Sequence, residues 1–158
     1  MTMSELNTLM AEREIGRCLL DYCLGIDRCD PELTASVYHD DGTDDHGSFV
    51  GLGKDFATYA AESLSKKYVA TQHSIGAPAI DFLDDASAQV TTYVHAEHVA
   101  VDDGGERSLI TFEGEYQDRF EFRDGAWRIA ARVVIHSWDS TRPLTPAFDP
   151  ERFTPRTR

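Results

Sequence analysis

The apolar positions of the chain change period once. Up to Tyr68 they fall at helical spacing, and after it they alternate as in strands. Ile15, Leu19, Tyr22 and Ile26 stand four, three and four residues apart, one face of a helix predicted over residues 4–29, and Cys18 and Cys23 widen that face. Asp30-Pro31 then supplies an N-cap and a proline at the first helical position, which predicts a short helix through about Tyr38. The turn-rich stretch HDDGTDDHGSFVG predicts a small hairpin. Residues 53–66 predict a third helix with Phe56, Tyr59, Ala60 and Leu64 as its apolar stripe.

Four long β-rich runs follow: YVATQHSIGAPAIDFL, SAQVTTYVHAEHVAV, RSLITFEGEYQDRFEFR and AWRIAARVVIHSW, separated by DDA, DDGGE and DG turns. Helices first and antiparallel strands after predict an α+β fold, a cone-shaped curved sheet with the N-terminal helices packed on its concave face around a pocket. Alternation selects the pocket side. In the second run Ala88, Val90, Thr92, Val94, Ala96 and His98 share the apolar, inward face. In the third, Ile110, Phe112, Gly114 and Tyr116 share it. The last run leaves two choices, because Ile129, Ala131, Val133 and Ile135 are apolar while Arg132, Val134, His136 and Trp138 form the other face. Val94, Ala96, Phe112, Gly114, Tyr116, Val134 and His136 are the expected substrate-binding lining. The domain is expected to span residues 1–140. A tail over 141–158 belongs to a segment, DSTRPLTPAFDPERFTPRTR, that holds four of the six prolines and is not expected to continue a central strand.

Composition narrows the classes. A chain of 158 residues is one domain, and its net charge of −13 argues against nucleic acid and against anionic membrane surfaces. No apolar run has the length of a membrane span, and MTMSELNTLMAERE lacks the layout of a signal peptide. Three cysteines, Cys18, Cys23 and Cys29, are an odd number without a CxxC pair; they predict reduced thiols in a cytoplasm.

Metal and nucleotide motifs are weak or missing. In HAEH, strand geometry sends His95 and His98 to opposite faces, so no metal site is expected. The acid-rich DDHG at 44–47 reads as a solvated turn. There is no GxGxxG, Walker loop or GxSxG elbow. Read from the chain alone, Asp27 is a charge in a helix-terminal turn.

The order of elements, with GIDRCDPE, ATQHSIG, YQDRFEFRDGAWRIAAR and VIHSW, resembles the nuclear transport factor two-like (NTF2-like) superfamily, and within it the SnoaL-like branch, over about residues 8–140. That branch includes polyketide cyclases, scytalone dehydratase, bile-acid dehydratase and hexachlorocyclohexane dehydrochlorinase. The resemblance implies a histidine–aspartate dyad, which falls on His73 and Asp27. It also implies supporting roles for Arg132, for His98 at the spacing of a second histidine, and for Tyr22, which stands where the dehydrochlorinase has lysine. Tyr22 and Asp27, five residues apart, diverge by roughly 140° on an ideal helix and flank a pocket edge.

These residues suit elimination of water. A neutral imidazole takes a proton at working pH. A carboxylate on its other nitrogen fixes the tautomer and stabilises the imidazolium. Tyr22 or His98 would assist the leaving hydroxyl, and Arg132 would stabilise developing negative charge. The reading that results is a cofactor-independent dehydratase acting on a cyclic or polycyclic hydroxy-ketone, with no metal. The alternatives are a polyketide cyclase, a ketosteroid-isomerase-like enzyme, or a non-catalytic module like the small subunit of a ring-hydroxylating dioxygenase. The expected partners are a hydrophobic cyclic small molecule and further copies of the chain, as a dimer or trimer.

Overall fold

The computed structural model describes residues 4–148. Helix α1 (Glu5–Arg28) starts where the Ser4 side chain accepts from the Asn7 amide, and stops at Cys29, whose backbone turns left-handed at φ 52°. The Asp30 amide then donates back to the Gly25 carbonyl at 2.8 Å, a Schellman closure. Asp30 caps α2 (Pro31–Ser36) through the Leu33 amide. The two helices approach so closely at Gly25 that a Cβ there would lie 2.4 Å from Thr34 Oγ1.

The hairpin β1 (Tyr38–Asp45) and β2 (Val50–Leu52) leads into α3 (Gly53–Lys67). Tyr38 thus opens a strand, where helix was expected to reach it. The strands β3 (Ala70–Ile75), β4 (Ala79–Asp84), β5 (Ser87–Val101), β6 (Arg107–Arg123) and β7 (Ala126–Pro143) complete the chain. The first long β-run is two strands, not one. Gly76-Ala77-Pro78 interrupts it, so β3 pairs with the C-terminal half of β5 and β4 with the N-terminal half. The sheet runs β2-β1-β7-β6-β5-β3, with β4 also on β5, and β1 joins β7 in parallel. It is curved and unclosed, with the helices on its concave side, the α+β arrangement expected. The core lies between Ile15, Leu19 and Tyr22 of α1 and Val90, Phe120 and Ile129 of the sheet, all at most 1% exposed.

The two readings of the last strand both apply, to different parts of it. Trp127 and Ile129 are buried; a bulge opposite Arg119/Phe120 then shifts the alternation by one residue, and Arg132 and Val134 face inward from there. A second bulge opposite Glu113/Gly114 shifts it again, which brings Asp139 to the concave side. The strand also continues to Pro143, against the expectation for the proline-rich segment. Beyond Val133 it pairs with β6 and not with β1, so among the described residues it is an edge there, and proline is tolerated at an edge's end. Residues 149–158 of the expected tail lie outside the described residues.

Gly114 sits at the second bulge. A Cβ on it would lie 2.1 Å from the Ile135 carbonyl oxygen and 2.9 Å from the Phe112 ring. Its place in the expected lining is therefore corrected: it gives room for the bulge, and the cavity wall is made by its neighbours. Gly114→Ala should destabilise the fold by about 1–3 kcal/mol, the usual cost of overpacking, read as a lower urea midpoint at an unchanged slope.

Candidate active site

Between α1, α3 and the concave sheet lies a cavity of about 420 Å³, within the range of small-molecule sites. Tyr22, Ile26, Phe56, Tyr59 and Leu64 reach it from the helices. His73, Ala96, His98, Phe112, Tyr116 and Val134 reach it from the sheet.

Asp27 sits one residue before the end of α1 and is 8% exposed. The chain reversal at Cys29 ends the helix directly after it, and the carboxylate meets β3. Its Oδ1 accepts from His73 Nδ1 at 2.8 Å and its Oδ2 from the His73 backbone N–H at 3.0 Å. Holding both the ring and its own backbone, Asp27 sets the imidazole's orientation and commits its Nδ1 as donor, which leaves Nε2 for the cavity. His73 is mostly buried, with 11% of its side chain exposed.

His98 lies diagonally beside it, because β3 and β5 pair Thr71 with His98 and His73 with Ala96. The two imidazoles meet edge to face at 5.6 Å. Tyr68 stacks on His98 at 4.6 Å, and Thr71 Oγ1 holds its Nδ1 at 2.8 Å. Burial, reinforced by the neighbouring His73 and opposed by Asp27, lowers the His98 pKa to about 4. His98 is therefore a neutral imidazole near neutral pH.

The sequence profile of the SnoaL-like domain matches residues 7–133. The chain belongs to the SnoaL-like family. Three solved structures share the fold of this SnoaL-like chain. A scytalone dehydratase candidate from Novosphingobium aromaticivorans is 24% identical, covers 91% of this chain and 97% of its own, and superposes with a TM-score of 0.77. A hexachlorocyclohexane dehydrochlorinase, LinA type 2, gives 23%, 93%, 98% and 0.79. LinA type 3 from Novosphingobium barchaimii gives 20%, 97%, 100% and 0.76. No curated protein matches the chain.

Arg132 in this SnoaL-like domain stands apart from the cavity surface. It is 1% exposed and bound in a fork to Asp118, Nε to Oδ1 and NH2 to Oδ2, both at 2.7 Å. The Tyr22 and Tyr116 rings cover it, their centroids 4.1 and 4.0 Å from Cζ. The expectation that Arg132 meets charge developing on a substrate is corrected: its charge is already matched by Asp118, and two rings separate it from the cavity. Its contact toward the cavity is with the ring of Tyr22, whose hydroxyl burial keeps protonated.

Two more expected lining residues are also displaced. Val94 is 2% exposed and packs in the core. His136 is exposed at the rim, where it bonds Asp139 Oδ2 at 2.7 Å and tilts against Phe112. His95 faces the convex side and bonds Glu113. Among the described residues no three His, Cys, Asp or Glu side chains are grouped as a metal site would need, and no helix is long and apolar enough to cross a membrane.

DDHG, read as a solvated turn, is the site's largest departure from expectation. Asp44 is 1% exposed, accepts from the Tyr38 hydroxyl at 2.5 Å, and bonds His46 Nδ1. His46 stacks on Phe56 at 4.0 Å, lies 3.2 Å from the Tyr22 hydroxyl through Nε2, and lines the cavity. One signal was present in the sequence: Asp44 and His46 are two apart, so on an extended chain they share a face.

The low His98 pKa has a consequence for stability. The unfolded chain takes up a proton near 6.5, the folded one only near 4, so the stability present above 6.5 is lost as pH falls through 4. In an NMR titration the His98 ring should stay neutral to about pH 4. His98→Gln should flatten the acid side of the stability–pH curve.

Proposed function

We propose that this SnoaL-like protein is a cofactor-independent lyase of the dehydratase type, acting on a cyclic or polycyclic hydroxy-ketone. The observation that carries the reading is the double grip of Asp27 on His73, which leaves one imidazole nitrogen for a mostly apolar cavity. His73 Nε2 takes the proton from the carbon beside the ketone, and Asp27 balances the imidazolium that forms. The Tyr22 hydroxyl, kept as a phenol, donates a hydrogen bond to oxygen on the substrate. His98, neutral and clamped by Tyr68 and Thr71, shapes the wall beside the base. The SnoaL-like family membership and the shared fold with a dehydratase candidate and two dehydrochlorinases support this chemistry.

With a cyclic β-hydroxy-ketone, the product should be lighter by one water on mass spectrometry. His73→Ala and Asp27→Asn should each lower kcat/KM by about 10²–10⁴, the worth of a general base. A product of unchanged mass would indicate an isomerase or cyclase using the same base. Full activity in His73→Ala would end the acid–base reading and favour a binding module.

The reading extends to assembly as a dimer or trimer. Tyr93, Val133, Ile135 and Trp138 leave apolar side chains on the convex sheet face, at 72, 41, 37 and 55% exposure, with Glu113, Glu115 and Gln117 of β6 between Tyr93 and the other three, and exposed apolar side chains within a polar surround suit a protein interface. Light scattering should give a multiple of the chain mass of 17.7 kDa. A monomer at micromolar concentration would refute assembly through this face.

A further inference from the structure

Resting on the proposed lyase chemistry, a second histidine–carboxylate pair faces the same cavity. His73 is on β3 and His46 follows β1, and β7, β6 and β5 lie between those strands in the curved sheet. The two imidazoles therefore enter the cavity from different walls. His73 presents a nitrogen with no bonding partner among the described residues, as a base requires. His46 is different: its Nδ1 is held by a fully buried carboxylate, its ring is clamped on Phe56, and its Nε2 is joined to a tyrosine hydroxyl that also lines the cavity. Asp44 is itself fixed by Tyr38, so both of its oxygens are occupied. We propose that His46, positioned by Asp44 and coupled to Tyr22, is the proton donor to the leaving oxygen, opposite the base His73.

The step balances. His73 Nε2 takes the proton from the carbon beside the ketone, and that electron pair becomes the C=C bond as the C–O bond breaks. In its imidazolium form, balanced by Asp44, His46 gives its Nε2 proton to the leaving oxygen. Tyr22 passes it on by donating its own hydroxyl proton and taking the one from His46. The products are an enone and water. His73 then returns its proton to solvent, and His46 takes one up. The remaining candidates serve less well as donor. His98 is neutral near neutral pH, and Arg132 is committed to Asp118 behind two rings.

A leaving group that needs no proton separates acid from base. The probes are β-hydroxytetralone, which loses water and aromatises to a naphthol, and its β-acetoxy ester, from which acetate departs as an anion. His46→Asn and His46→Gln should each lower kcat/KM on the alcohol by about 10²–10⁴ and on the ester by no more than a few-fold. Asp44→Asn should show the same split in weaker form, and His73→Ala should lose both substrates. Loss of both substrates by the His46 variants with circular dichroism unchanged, or loss of neither while His73→Ala is inactive, would overturn the donor role and leave the lyase reading standing. Wild-type protein that eliminates neither probe, or a His73→Ala variant as active as wild type, would overturn the lyase reading, and the donor role with it.

Discussion

Beneath the apolar cavity lies a fully buried ion pair, Arg132 with Asp118, on adjacent strands of the concave face. Taking two charges out of water costs several kcal/mol per ion. A forked pair offsets that cost only because its geometry is good, and breaking one by removing a partner costs about 3–5 kcal/mol. Here the pair has a second effect. Its guanidinium is stacked against the rings of Tyr22 and Tyr116, so the tyrosine from α1 is seated on the sheet by an attraction that holds in a place without water. The Tyr22 hydroxyl then points to His46, and His46 to Asp44 and Tyr38. A continuous polar chain thus runs from the core to the cavity wall.

The sheet delivers this arrangement through its irregularities. Without the bulge opposite Arg119/Phe120, strict alternation from Ile129 would put Ala131 and Val133 inside and Arg132 outside. The extra residue moves the arginine under Tyr22 and leaves Val133 on the convex face. The break at Gly76-Ala77-Pro78 matters similarly, because it lets β3 follow β5 closely enough for His73 and His98 to stand side by side.

Two histidine–aspartate pairs share one cavity, and they are built differently. Asp27 comes from a helix end and reaches a strand 46 residues later, a contact that depends on the chain reversal after α1. Asp44 and His46 are two residues apart, and that pair depends on burial more than on distance, since α3 and Phe56 cover it. The first pair leaves an imidazole nitrogen without a partner among the described residues, and the second spends its nitrogen on Tyr22. On this asymmetry rests the proposal of one proton acceptor and one proton donor in the same cavity.

Much was legible in the sequence. Periodicity of 3.6 through Ile26 and alternation through His98 are local properties, so the helices, most strands and the inward face of β5 could be read directly. The family resemblance paired Asp27 with His73, and the two are in contact. Other features depended on what lies opposite a residue, which periodicity does not report. Arg132 looked like a cavity charge until Asp118 and two rings were seen to enclose it. Gly114 looked like lining until the Ile135 carbonyl was found where a side chain would be. DDHG looked like a wet turn because acids near glycine usually are, and only the helix packed over it made Asp44 one of the most buried residues in the fold. The chain by itself determined which residues could share a face. The tertiary structure decided which of those faces lost their water, and with it which charges had to find partners.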